Sequence, residues 1–399
     1  MTTTTTTKTY DAIVAGLGGM GSAAAHHLAA RGLRVLGLER FDVPHAMGSY
    51  HGVTRIIRLP YYEDPAYVPL LRRAYELWRD LEAATGRRVL HVTGSLDAGP
   101  EGSEVFGGAL ASARLHDLPH AVLTGAEVNA RWPAYRLPPD HRALFQPEGG
   151  YLASEEAVVA HVEAAVARGA EVRARERVLS WEARPGGEGV RVRTDRGVYE
   201  AGRLVLSAGA WMADLAPDAL GAGRAVPERQ VLAWLQPDDP ALFAPARFPV
   251  FNLAVEEGRY YGLPVHGVPG FKFGRYHHRG ETGAADDLRR EPDAEDEALL
   301  RAFAARYFPR GAGATMGLRV CAFTNTPDEH FVLDRHPAHP QVVLASPCSG
   351  HGFKFCSVVG EILADLASGD GTTRHDIGFL RLDRPGMRPT RAETVAVAA

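Results

Sequence analysis

The chain has 399 residues, 45% of them hydrophobic and 23% charged, with a formal net charge of −4. That length exceeds one comfortable core and predicts two domains; there is no basic excess to hold nucleic acid and no apolar run long enough to span a bilayer. Cys321, Cys348 and Cys356 form neither a CxxC pair nor an even framework, which points to a reducing cytoplasm, and none of the 17 histidines shows zinc-ligand spacing, so no metal is expected.

In chain order, the run from Met1 to Lys8 lacks the apolar segment of a secretion signal and reads as a short disordered tail. A strand over 10–15 then runs into Gly16, Gly18 and Gly21, an alanine-rich helix, and a second strand over 33–38 that ends on Glu39. Gly16 permits the tight turn, Gly18 lets backbone approach a pyrophosphate, and Gly21 lets the helix pack on the strand. A diphosphate would sit at the helix N-terminus, with Glu39 accepting from ribose hydroxyls. This is a dinucleotide-binding pattern, and by itself it fits FAD or NAD equally.

Residues 64–86 carry a helical apolar stripe from Tyr67 to Leu81, with Gly86 as its stop. Ser154 is a candidate N-cap for the next helix. Alternation at Val190, Val192 and Thr194, a turn at 195–197 and a strand over 203–207 follow. A last strand over 341–345 leads through a glycine-rich turn into a helix from about Ser357. Between these pieces lie a Pro/Gly/His-rich stretch and a stretch with short aromatic strands over 231–235 and 259–262. The acidic run 291–297 reads as a solvated helix start. The expected organisation is a nucleotide domain from 8–89, 152–222 and 328–399, with a substrate domain from 90–151 and 223–327.

Several side chains stand out for their chemistry. Arg58 and Lys354 are cations flanking the nucleotide layer, and surface ion pairing is the ordinary role for such residues. Lys272 lies between Phe271 and Phe273, where an unpaired ammonium is costly and the phenylalanines are expected to limit water. Cys321 can be a small buried hydrophobe or a reactive thiol, while Cys348 and Cys356 read as packing residues.

Four segments carry a family resemblance. Gly48-Ser-Tyr-His51-Gly-Val-Thr-Arg55-Ile-Ile-Arg58 resembles the flavin-contacting segment of the monomeric sarcosine oxidase and N-methyltryptophan oxidase family. The runs 259–264 and 270–274 resemble its active-site hairpin, 321–331 its flavin-attachment segment, and Ser349-Gly-His-Gly-Phe-Lys354 its closing motif. The order and spacing hold from near residue 10 to near residue 385. The segment 203–211 resembles a second FAD-contacting strand.

The resemblance implies an α/β fold: an FAD-binding Rossmann-like domain with an inserted antiparallel-sheet substrate domain, like glutathione reductase and D-amino-acid oxidase. It implies an oxidase of secondary amino acids that passes a hydride equivalent to FAD and reduces oxygen to hydrogen peroxide. Cofactor contacts would come from Gly16, Gly18, Gly21, Glu39, Arg40, Ser49, Thr54, Gly350, Gly352 and Lys354, with a thioether from Cys321. Arg58 and Lys354 would hold the substrate carboxylate, Lys272 would activate oxygen, and Arg55 and His51 would tune the ring. Tyr261 and Asn252 would face the substrate, which with oxygen is the only expected partner of a monomer. Asn252 stands where sarcosine oxidases place methionine, and Pro347 replaces a usual glycine. The family's active-site histidine falls on His277 or His278, or is replaced by Tyr276. Alternatives are an oxidase of a cyclic secondary amino acid or of a larger N-substituted one, an NAD-dependent dehydrogenase or imine reductase, and a non-catalytic flavoprotein subunit.

Overall fold

Residues 8–221, 223–346 and 349–387 are described by the computed structural model; the tail 1–7, Pro347 and Cys348 lie outside the described residues. One eight-stranded sheet is built around Lys8–Ala15, which pairs in parallel with both Val35–Leu38 and Val198–Leu206. His339–Ala345 extends it in parallel beside Val198–Leu206, and Val178–Ala183 with Val190–Thr194 form an antiparallel flank. Ile13, Val14, Leu36, Leu204 and Val205 are fully buried, as expected for parallel strands covered on both faces. Helices Gly19–Ala30, Ser154–Val166 and Cys356–Ala367 pack together over this sheet. A Cβ on Gly360 would lie 2.5 Å from that of Ala23, so glycine allows the close helix contact.

The helix expected over 64–86 divides at its start. Asp64 caps a 3-10 turn, Pro65–Tyr67, and the α-helix proper is Val68–Thr85, closed by Gly86 at φ 70°. Its buried stripe includes Leu70, Leu71, Ala74, Leu77, Trp78 and Leu81, as the periodicity predicts. Ser154 is the first helical residue rather than the cap, which falls on Ala153.

The second eight-stranded sheet unites the two stretches of different character. Its order is Thr315–Asn325, Val226–Leu235, Phe271–Arg275, Gly258–Leu263, Val250–Val255, Ser95–Pro100, His141–Gln146, Ala121–Thr124. Every neighbouring pair is antiparallel except Val250–Val255 with Ser95–Pro100. One face buries a phenylalanine cluster of Phe243, Phe248, Phe251, Phe271, Phe273 and Phe308, covered by helix Ala294–Tyr307. That helix begins at the acidic run, with Asp293 as N-cap of a capping box. The run is not simply solvated, because Asp296 is fully buried and paired with Arg229, its Oδ1 3.0 Å from Nη1.

A small third sheet, Thr54–Ile57, Gly150–Ala153 and Leu90–Val92, has no counterpart in the sequence expectations. It fixes the segment that carries Thr54, Arg55 and Arg58.

Candidate active site

The glycine turn has the geometry of a phosphate cradle. Gly16 sits at φ 93°, and a Cβ there would meet the Ser207 carbonyl at 2.6 Å; one on Gly21 would meet the Gly16 carbonyl at 1.8 Å. Protein packing therefore demands both glycines. Gly18 is different: an added Cβ would make only ordinary contact, 3.6 Å from the Tyr50 ring. Gly18 is also the N-cap of helix Gly19–Ala30, which has no side-chain cap and no acidic residue in its first turn. An open, uncapped helix terminus of this kind fits a diphosphate. Glu39 is buried with Oε2 accepting from Leu17 N–H at 2.8 Å and Oε1 from Phe41 N–H at 3.0 Å. The acid thus steadies the glycine loop as well as standing at its mouth.

From this cradle a long cavity runs past Arg40, Ser49, Thr54 and Arg55 to Tyr261, Cys321 and the segment 350–354. Arg40 stacks between Phe41 and Trp211, 5.1 and 5.3 Å from their ring centroids, and pairs with Asp286. Gly350 lies at φ 74° against Phe323, where a Cβ would come within 2.6 Å. A channel joining a diphosphate cradle to a broad, partly apolar end suits a dinucleotide carrying a large ring system, and so fits FAD.

At the far end Arg55 donates to the carbonyls of Ser49 (2.7 Å), His51 and Thr54 (2.8 Å), which shapes its loop around the cation. His51 is turned away from the cavity toward Glu155, with Nδ1 3.4 Å from Oε1. Glu155 also accepts from Gly52 and Val53 N–H at 2.8 and 3.0 Å, holding Val53 at φ 73°. Burial opposes ionisation of Glu155, but bonds from His51 and that backbone hold its carboxyl well below the usual range. Sequence reasoning missed Glu155; an acid in the first turn of a helix was its one local signal.

Lys272 is buried, and Nζ donates to the Thr54 carbonyl at 2.6 Å and to Thr54 Oγ1 at 3.1 Å. Burial, reinforced by Arg55, pushes its pKa well below the usual lysine value. The expectation that Phe271 and Phe273 shield the ammonium is incorrect. Strand alternation sends both rings into the phenylalanine cluster on the opposite face. Trp234, with its ring centroid 5.6 Å from Nζ, packs beside the ammonium instead. Cys321 is buried in a small cluster with Leu232 and Trp234, and burial pushes its thiol up against the pull of Arg55 and Lys272.

Of the three histidine candidates, Tyr276 lines the cavity, edge-on to Tyr261 at 5.2 Å. His277 bridges Glu228 and Glu329 at 2.8 and 3.1 Å, and His278 is fully buried against Asp296.

Arg58 and Lys354 converge on one ring: Arg58 Cζ is 4.5 Å and Lys354 Nζ 5.1 Å from the Tyr61 centroid. Lys354 donates to the His351 carbonyl at 2.7 Å, and burial, then Arg58, bring its pKa down to about 7. Arg58 is ion-paired, but in the interior rather than at the surface. Its Nη2 donates to Glu63 at 2.8 Å, and its Nε lies 3.3 Å from Asp97 Oδ1. Asn252, buried, donates to the same Asp97 oxygen at 2.8 Å. Glu63 and Asp97 are site residues that sequence reasoning missed.

Residues 11–366 match the model of the FAD dependent oxidoreductase family. The chain belongs to that family. Monomeric sarcosine oxidase of Streptomyces avermitilis is 44% identical over 386 residues, 96% of this chain and 99% of that one. N-methyl-L-tryptophan oxidase of Yersinia pestis is 34% identical, covering 94% and 99%. Among solved structures, NikD, an unusual amino acid oxidase essential for nikkomycin biosynthesis, superposes with TM-score 0.82 at 26% identity, covering 94% and 98%. The family establishes a two-domain flavoprotein oxidase fold and FAD as cofactor. Among the described residues no helix is long and apolar enough to cross a membrane.

Proposed function

We propose that this chain is a flavin-dependent oxidase of N-methyl or other secondary amino acids, using oxygen as acceptor and releasing hydrogen peroxide. The observation that carries the reading is the convergence of Arg58 and Lys354 on Tyr61, beside the cavity end lined by Tyr261 and Cys321. The sarcosine and N-methyltryptophan oxidases among the relatives support it. In this reading residues 8–89, 152–222 and 328–399 hold FAD, while 90–151 and 223–327 supply the substrate walls.

When bound, FAD supplies the acceptor for two electrons from the C–H bond beside the amine and returns them to oxygen. The protein's part is positioning and charge. Lys354 and Arg58 grip the carboxylate through charge-assisted bonds. Tyr261 and Tyr276 wall the amine; burial pushes both phenols above their usual pKa, so neither acts as a base near neutrality. The cationic surroundings favour the neutral amine, whose lone pair supports hydride loss. Lys272 offers a positive charge where oxygen gains its first electron, and Arg55 one that favours an electron-rich ring. Cys321 is the proposed covalent anchor. Relatives that are monomeric by name support a single-chain enzyme, and the cysteine pattern supports a cytoplasmic one.

A screen of the purified holoenzyme with sarcosine, larger N-methyl amino acids and cyclic secondary amino acids, read as peroxide release, tests the function. Turnover of at least one of these classes, and none with simple amines lacking a carboxylate, is expected. Equal turnover of simple amines overturns the carboxylate grip.

A further inference from the structure

The guanidinium assigned above to a substrate carboxylate already faces two carboxylates of the protein, and they are held differently. Glu63 follows Arg58 by five residues and takes its Nη2 at 2.8 Å. Asp97 arrives from strand Ser95–Pro100 of the second sheet and is fully buried. Its Oδ1 accepts from Asn252 and forms an ion pair with Arg58 Nε at 3.3 Å, whereas among the described residues neither its Oδ2 nor Arg58 Nε has a hydrogen-bond partner. An orphaned carboxylate oxygen in a fully buried position is costly and calls for an explanation.

The sheet register supplies one. Asp97 pairs with Asn252, and Asn252 with Tyr261, across three neighbouring strands. Residues paired in register point to one face, so these three side chains form a row from the cavity wall, at Tyr261, to the Arg58 site. The remaining groups that face Asp97 are Arg58 and Glu63 from the segment after Thr54–Ile57, and Lys354 from the turn Phe353–Phe355. On its other side strand His141–Gln146 presents the apolar Leu144. With Arg58 and Lys354 charged and Glu63 and Asp97 ionised, this group is neutral. A third carboxylate entering it leaves an uncompensated buried negative charge.

We propose that Asp97, held by Asn252, is a specificity-determining residue that competes with the substrate carboxylate for Arg58 and yields by taking up a proton as the substrate binds. The proton comes from solvent and resides on Oδ2, the oxygen without a partner, while Oδ1 keeps the Asn252 bond. Arg58 Nε is thereby released to the substrate, and no electrons move. The two acids are unequal in the required sense. Burial opposes ionisation of Glu63, yet Arg58, His351 and Lys354 hold it at about 2. Burial lifts Asp97 to about 6, against Arg58 and Asn252. Asp97 is the one that gives way. The competition raises the threshold for weakly held carboxylates and favours substrates whose remaining contacts outbid it.

This inference rests on Arg58 and Lys354 binding the carboxylate. The probe is methoxyacetate, which has the shape of sarcosine with an ether oxygen in place of the oxidisable amine. Binding to wild-type and Asp97→Asn holoenzyme is followed at pH 8 by flavin absorbance, and by calorimetry in two buffers of different ionisation enthalpy. Wild type is expected to take up about one proton more per ligand than Asp97→Asn, and the variant to bind about tenfold more tightly or better. Lys354 contributes its own uptake to both proteins, so the difference isolates Asp97. For an N-methyl amino acid, KM should fall in the variant by more than kcat changes. Asn252→Met removes the bond that favours the ionised acid and should shift affinity in the same direction. Equal uptake and equal or weaker binding in Asp97→Asn overturn the role of Asp97 alone. If wild type binds no methoxyacetate by either readout, the carboxylate grip itself falls, and this inference with it.

Discussion

Lys272 Nζ donates to the Thr54 carbonyl at 2.6 Å, tying the strand Phe271–Arg275 of one sheet to the strand Thr54–Ile57 of another. The bond fixes a buried cation against a residue that lines the cavity. A cation about 4 Å from an anion, at an effective dielectric near 20, contributes roughly 4 kcal/mol of attraction. Realised fully in the transition state for electron transfer to oxygen, that is about a thousandfold in rate. Lys272→Met keeps length and apolar volume, so fold and flavin should survive. Reoxidation by air should slow by orders of magnitude, and anaerobic reduction by substrate should fall only modestly. Since the lysine pKa is depressed, reoxidation should also weaken as pH rises, beginning below the usual lysine range. Normal reoxidation with crippled reduction would make Lys272 a substrate-binding residue instead.

Cys321→Ala should leave the flavin extractable. Acid precipitation of wild type should retain yellow colour in the pellet, and the variant should release it to the supernatant. FAD fully extractable from wild type removes Cys321 as the anchor.

Lys354 is the cleaner probe of the carboxylate grip, because truncating Arg58 strands Glu63 and Asp97 in the interior. Lys354→Met should raise KM by an amount equivalent to about 1.5–3 kcal/mol, the range for a hydrogen bond to a charged group. Its amine is charged below a pKa of about 7 and neutral above it. Wild-type KM should therefore rise as pH passes through that value, and the variant should lose this component. A KM profile of unchanged shape in Lys354→Met excludes the lysine from binding.

The chain makes its opening unit legible because its strand, glycines, helix and acid follow one another at short, fixed spacing. Gly16 and Gly21 are set by backbone atoms only a few residues away or on the adjacent strand, and Glu39 ends the next strand. The helical stripe from Leu70 to Leu81 and the alternation at Val190 and Val192 are legible for the same reason. The candidate site is only half readable. Cations announce themselves as unusual, but their partners Glu63, Asp97 and Glu155 are ordinary acids until the fold brings them together. Asp97 meets Asn252 across 155 positions. The misjudged shielding of Lys272 has a different origin: chain neighbours on a strand lie on opposite faces, so proximity in sequence misleads.

Asp296 anchors the far side of the second sheet, fully buried with Arg229 and His278 around it. Asp296→Ala removes the carboxylate that holds both Nη atoms of buried Arg229, leaving Glu281 at 3.4 Å as its remaining acid, and should cost about 3 kcal/mol of unfolding free energy. Denaturant titration of the holoenzyme measures it, and a loss under about 1 kcal/mol would mean that water or relaxation satisfies Arg229.

His277 should give a pH signature in stability. Glu228 and Glu329 raise its pKa to about 9, from about 6.5 when unfolded. Its contribution is thus fully present below about 6.5 and is lost as pH rises through about 9. The ring is 39% exposed, so screening limits the effect to about 1 kcal/mol or less. His277→Gln should be less stable than wild type at acid to neutral pH and indistinguishable from it above the folded pKa. A difference that persists there would assign the ring a packing role.

The central claim, oxidation of a secondary amino acid by protein-bound FAD with oxygen as acceptor, is tested most directly by anaerobic mixing of holoenzyme with sarcosine or a larger N-methyl amino acid. The visible flavin absorption should bleach, faster as pH rises and the bound amine loses its proton, and admitting air should restore it with release of hydrogen peroxide. Flavin that stays oxidised with every N-methyl and cyclic secondary amino acid, or bleached flavin that oxygen does not restore, would contradict the account.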